Sequence, residues 1–219
     1  MSGIGHDARP GEFKGEFKVV VVVASLGGLP VLTTLLRGLP GTFHVPLLVV
    51  SHRPRQRHDR LAMLLQRETS LSVRTGTPGL SAWDPGVIVI PGRESATLTS
   101  CGELSLQPST GPQNLGGDVL LASAATAARP GHAIGVILSG MLHDGTRGIR
   151  VVKRNGGRVL AQDPATARAS SMPTSAIATG CVDHALPPDR LAAALVALTM
   201  APGGASLLAV PTPHWAALG

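Results

Sequence analysis

Apolar and polar residues fall in blocks along this chain. Residues 19–23 are five consecutive valines. They follow neither a helical nor a two-residue period, which is how a strand buried on both faces of a parallel sheet reads. The run ends at Ala24-Ser25-Leu26-Gly27-Gly28. Apolar residues then recur at helical spacing over 29–37, so Ser25 is predicted in a strand-to-helix turn. Pro40-Gly41 breaks that helix, and residues 46–52 form a second apolar run ending in Ser51-His52. Such a β-α-β unit is parallel and right-handed in nearly all cases. It puts Ser25 and His52 at the ends of neighbouring or near-neighbouring strands, on one edge of the sheet.

The same pattern predicts a helix near 59–68, a short strand over 72–75 and another over 87–90. Residues 97–107 alternate and read as a hairpin at the sheet edge, and 108–117 as a loop. A helix follows over 118–128, with Asp118 near its N-cap. Residues 133–139 give a third buried strand, running through Gly140-Met141-Leu142-His143-Asp144-Gly145 into a helix over 146–155 that Gly156-Gly157 end. A strand over 158–162, a helix over 172–178, a last edge strand at Cys181-Val182 and a helix over 189–199 complete the series. The expected fold is α/β, a doubly wound, mostly parallel sheet with helices on both faces. Residues 1–17 are expected to be a flexible leader, 18–200 the domain, and 201–219 a frayed tail in which Trp215 is the residue able to dock.

Composition narrows the function classes. With 219 residues, 43% apolar and 15% charged, the chain suits one well-buried domain and not whole-chain disorder. A net charge of +6 would suit nucleic acid, an anionic membrane surface or an acidic protein. Aromatics are 2% with no tyrosine, which removes the stacking platforms of single-strand and RNA binders, so nucleic acid is not the expected partner. Cys101 and Cys181 lack metal-site spacing and form no disulfide framework; no metal and no cofactor are expected. No stretch approaches the ~18 apolar residues of a membrane helix, and the first residues hold no apolar signal core. A cytoplasmic protein, without membrane insertion and monomeric, is expected.

Candidate chemistry gathers at three strand ends: Ser25, His52 and Asp144. A serine hydroxyl needs a base within reach, imidazole suits neutral pH, and a carboxylate on the far ring nitrogen fixes the tautomer. Backbone N–H groups of Leu26, Gly27 and Gly28 are candidates for an oxyanion site. Taken singly, each reads more readily as a structural residue: Ser25 as a helix N-cap, His52 as a loop histidine, Asp144 as an N-cap or turn residue.

The strings Ala24-Ser25-Leu26-Gly27-Gly28, Ser51-His52-Arg53-Pro54, residues 85–92 (PGVIVIPG), residues 135–145 (GVILSGMLHDG), Ala161-Gln162-Asp163 and Ser171-Met172-Pro173, in this order, resemble the catalytic domain of the chemotaxis receptor methylesterases, the CheB type. The resemblance runs from about residue 19 to residue 198. It implies hydrolysis of glutamate γ-methyl esters on receptor helices, and in many members deamidation of receptor glutamines, with Ser25, His52 and Asp144 as the triad. Met141 matches the family and is expected to pack under the site, and His143 to be a surface residue. Arg53, Arg55, Arg57 and Arg60 adjoin the histidine and are expected to dock the acidic face of a methyl-accepting chemotaxis receptor helix.

Several positions depart from the family pattern. Val23 stands where a glycine is usual and is expected to crowd the turn; Leu26 replaces a threonine. Leu142 replaces a glycine and is expected to shift the loop carrying Asp144. Asn114-Leu115-Gly116-Gly117-Asp118 replaces a His-Arg-Pro-Ser-containing loop that grips substrate. Family members commonly carry a phosphorylatable receiver before the esterase, which residues 1–18 are too few to form, so a fragment or a stand-alone esterase is expected. Two other readings stay open: a CheB-like binding module weakened in catalysis, and a nucleotide-binding domain using residues 25–28 as a phosphate cradle. The latter lacks the full glycine fingerprint and a ribose-holding acid about 20 residues on.

Overall fold

The computed structural model describes residues 17–53, 59–92, 94–109, 115–211 and 214. Seven parallel strands form one sheet: β1 (Val19–Ala24), β2 (Leu47–Ser51), β3 (Val73–Thr75), β4 (Val87–Val89), β7 (Ala133–Ile137), β8 (Arg158–Gln162) and β9 (His184–Leu186). Their order across the sheet is β3-β4-β2-β1-β7-β8-β9. The chain works outward from β1 to one side, then returns to lay β7 against the other side of β1. This reversal is a topological switch point, where open α/β sheets form their ligand crevice.

The valine run is central because every residue of β1 is buried and its alternate side chains serve two cores. Val20, Val22 and Ala24 pack with α1 (Gly28–Gly38), α2 (Leu61–Gln66) and α6 (Pro188–Met200). Val19, Val21 and Val23 pack with α3 (Gly116–Ala127), α4 (Thr146–Arg154) and α5 (Ser171–Ala178). Helices therefore cover both faces, as the unbroken apolar runs require.

Four elements differ from the sequence reading. The hairpin β5 (Glu94–Leu98) and β6 (Leu104–Pro108) is a separate two-stranded sheet; Ala96, Leu98 and Leu104 bury its inner face in the α3 core, so it caps a face and does not extend the sheet edge. The last strand is His184–Leu186, while the Cys181 side chain is wholly buried in the core just before it. The helix expected from 59 begins at Leu61, because the Asp59 carboxylate accepts from the Leu61 amide and from Gly92 N–H. Helix α3 begins at Gly116, which moves Asp118 from the N-cap into the first turn. Beyond α6 the chain forms a short helix α7 (Gly204–Leu207), with Ala205 buried. The expected leader and Trp215 lie outside the described residues, although Phe17 is described and buried.

Candidate active site

Strand register brings the candidate residues together. Ala24 lies opposite Ser51, and the His52 amide donates to Ala24 O at 2.9 Å. Ser25 and His52 are therefore the next residues of two paired strands, with Cα atoms about 5 Å apart at the usual strand spacing. Both continue the parity of Val21, Val23, Leu48 and Val50, whose side chains face the α3 core. On the other side of β1, the Ser25 amide donates to Ser139 O at 3.0 Å. Ser25 is half-buried.

Asp144 arrives from the loop between β7 and α4. Its carboxylate is 3% exposed and lies 2.8 Å from His52 Nε2. It also accepts from the amides of Gly117 (2.8 Å) and Asp118 (2.9 Å), in the first turn of α3. The oxygen nearest His52 sits off the ring N–H axis, so the contact is close but poorly aligned for a hydrogen bond. Nε2 is the ring nitrogen that faces Asp144, and Nδ1 is the other.

Ser25 is followed by a tight turn. Gly27 adopts φ 77° and precedes α1. A side chain there would meet Arg168 Cβ at 2.6 Å and Ser139 Oγ at 2.8 Å, so both conformation and space require glycine. The amide of Gly28 donates to Ser25 O at 2.9 Å, which removes it from the oxyanion candidates. Among the described residues, the amides of Leu26 and Gly27 have no internal acceptor.

The departures from the family pattern have local answers. A side chain at Gly117 would come within 2.5 Å of Val23 Cγ1 and 2.6 Å of Asp144 Oδ2; a valine at 23 is accommodated because 117 has no side chain. Leu142 takes φ 66°, the left-handed conformation a glycine adopts freely, and Asp144 still reaches His52. The Leu26 side chain is half exposed, and its carbonyl accepts from Ser139 Oγ at 2.8 Å. Met141 is 56% exposed and does not pack under the site. That place is taken by the fully buried Met172, whose sulfur lies so close to Gly140 that no side chain fits there.

Arg53 differs from its expected docking role. It donates to Ser51 O (2.8 Å), Ile90 O (3.0 Å) and both oxygens of Asp59. Its charge is spent on anchoring the segment after His52. Burial pushes the Asp59 carboxyl up, but hydrogen bonds from Arg53 and from the Gly92 and Leu61 amides outweigh it and hold the group below its usual range. Arg55, Arg57 and Asn114 lie outside the described residues; Arg60 and His143 are exposed.

Four positions here carry roles that the sequence did not assign to them. Ser139 is wholly buried, and its hydroxyl bonds Leu26 O and accepts from Ala169 N at 3.0 Å, tying three strand-end loops together. Gln162 accepts from the Ser139 amide at 2.8 Å. Both are polar residues at the ends of buried apolar runs, the signal that picked out Ser25. Exposed Arg168 lies against Gly27, and Asp118 beside Asp144; neither is marked by periodicity.

A serine and a histidine at adjacent strand ends, with a buried carboxylate against that histidine, stand at the carboxyl rim of a doubly wound sheet, residue types that acyl-transfer chemistry uses. The family model described as CheB methylesterase matches residues 20–195, and the chain belongs to that family. It is 37% identical over 195 residues to a protein-glutamate methylesterase/protein-glutamine glutaminase 2 of Anaeromyxobacter dehalogenans, covering 89% of this chain and 57% of that protein. It is 33% identical over 193 residues to protein-glutamate methylesterase FrzG of Myxococcus xanthus, covering 86% and 57%. The chain thus spans about half the length of the curated relatives it matches. The crystal structure of the Thermotoga maritima CheB methylesterase catalytic domain superposes with a TM-score of 0.75 at 34% identity, over 82% of this chain and 97% of that one.

Proposed function

We propose that this chain is a serine hydrolase that removes methyl esters from glutamate side chains of chemotaxis receptors and deamidates receptor glutamines. The observation that carries the reading is the buried Asp144 carboxylate 2.8 Å from the imidazole of His52, which itself adjoins Ser25 by strand register.

Ser25 Oγ attacks the ester carbonyl carbon while its proton passes to His52 Nδ1. The amides of Leu26 and Gly27 receive the tetrahedral oxyanion, each such donor contributing about 3 kcal/mol in hydrolases of this type. Collapse expels methanol, which takes the proton from His52, and leaves an acyl-serine. Water, deprotonated by His52, then releases the glutamate carboxylate and restores the hydroxyl. With a glutamine substrate the same steps expel ammonia. Asp144 stabilises the imidazolium throughout.

The partner is an acidic helical segment of a cytoplasmic receptor region. Among the described residues, Arg53 is held internally, and exposed Arg168 beside the nucleophile turn is a cation suited to meet it. Arg168→Glu is expected to raise KM for methylated receptor about 3- to 10-fold and to leave p-nitrophenyl acetate hydrolysis unchanged, as for other rim charges. Equal kinetics on the receptor would remove Arg168 from that role.

The direct test is methanol release from methylated receptor by the purified chain. Wild type is expected to turn over and Ser25→Ala to fall by about 10³-fold or more, the scale on which nucleophile loss is felt. A chain that folds, binds receptor and releases no methanol would overturn the esterase reading and leave a binding module.

A further inference from the structure

We propose that Asp118 is the positioning residue of this site: it and Asp144 cap each other's helices, and that exchange holds Asp144 against His52. The inference rests on the hydrolase reading above.

The two carboxylates occupy matching places. Asp144 immediately precedes the Gly145 N-cap of α4, yet accepts from the amides of Gly117 and Asp118 in the first turn of α3. Asp118 lies in that first turn of α3, yet its Oδ1 accepts from the amides of Arg147 and Gly148 in the first turn of α4, each at 2.8 Å. Each helix thus satisfies otherwise orphaned N-terminal N–H groups with the other's carboxylate. The helices can approach because Gly148 packs against Leu121 and Asp118 O, where a side chain would come within 2.5 Å. Fixing α4 through Asp118 fixes the loop before it, which carries Asp144, and Asp144 in turn is held by the helix that carries Asp118.

The chemistry of Asp118 suits holding more than proton transfer. The residue is 6% exposed, and its second oxygen is buried and makes no well-formed hydrogen bond among the described residues. Burial first, and then the charge of Asp144, push its carboxyl up from the usual range. Oδ1 accepts from the two α4 amides whether the carboxyl is ionised or neutral, and Asp144 is the member of the pair that faces His52.

An amide should therefore replace it, whereas an apolar residue should not. In the purified full chain, Asp118→Asn is expected to keep kcat for methyl-ester hydrolysis within about 3-fold of wild type. Asp118→Leu, which keeps the branched heavy-atom skeleton and removes the acceptor, is expected to lower kcat about 30-fold or more with KM within 2-fold. Asp118→Ala should follow Asp118→Leu. An activity-independent readout is the His52 Nε2 proton by nitrogen-15 NMR, expected to exchange faster with water in the folded Asp118→Leu and unchanged in Asp118→Asn. Wild-type kcat and an unchanged imidazole proton in Asp118→Leu would overturn the proposal, as would an Asn variant as impaired as the Leu variant. Should wild type release no methanol, the hydrolase reading fails, and the NMR comparison still decides whether Asp118 holds Asp144 on the imidazole.

Discussion

Leu142 adopts a conformation that leucine ordinarily avoids, at a site 63% exposed to solvent. A left-handed L-residue costs about 1–2 kcal/mol, while glycine returns part of that through the freer unfolded chain. Leu142→Gly is therefore expected to stabilise the protein by about 0.5–1 kcal/mol in urea unfolding; destabilisation would mean that the leucine makes a stabilising contact outweighing its backbone cost. At this scale the sequence was informative where a residue's role follows from its neighbours along the chain. Ser25, at the end of a valine run and before two glycines, is such a case. Arg53 is not, because its partners Asp59 and Ile90 are set by how segments cross in space. Met172 takes the place expected for Met141 for the same reason: only packing decides which sulfur lies beneath the turn.

Between elements, β1 and α3 meet through Val23 and Gly117. Enlarging residue 117 forces a carbon into Val23 and the Asp144 carboxylate. Gly117→Ala is expected to cost about 1–3 kcal/mol by overpacking, and Val23→Ala to restore part of it in the double variant. A double-mutant cycle of thermal unfolding checks this; strictly additive effects would show that the two positions do not compete for space. The contact between α3 and α4 has a pH signature. Because the Asp118 carboxyl is pushed up, the folded state holds that proton more tightly than the unfolded chain does. The stability so gained is complete below about pH 4 and is lost as pH rises through the folded pKa. Asp118→Asn should lack this segment of the curve, and urea midpoints from pH 4 to 7 compare the two; parallel curves would contradict it. Asp59, held low, acts on the other side, its contribution falling away only as pH drops below about 4. Buried strands and long helices were legible because period and length mark them. The edge strand after Cys181 and the hairpin's seat on a face were not, since short segments with weak alternation take their place from what they pack against.

Across the whole molecule, Lys153 ties the far side of the sheet together. Its side chain is 2% exposed and pairs with the fully buried Asp183, whose other oxygen accepts from the Val159 amide at 2.7 Å. Lys153→Met leaves that carboxylate buried and uncompensated and is expected to cost about 3–5 kcal/mol, measured by denaturant unfolding; a loss under 1 kcal/mol would contradict a buried charge pair. The doubly wound architecture was readable from alternating apolar blocks, and the convergence of Ser25 and His52 from the β-α-β rule. Asp144 was readable as a candidate from its place at the end of a buried run, but how it is held against His52 was not, because that depends on α3, whose first-turn amides no periodicity reveals.

In the proposed function, Ser25 is activated by His52 and Asp144 at one rim. Covalent labelling by a fluorophosphonate probe, followed by peptide mass spectrometry, tests it most directly. A single adduct on Ser25 is predicted, forming about 10²-fold more slowly or worse in His52→Ala and in Asp144→Asn. An adduct on another residue, or equal labelling rates in all three proteins, would contradict it.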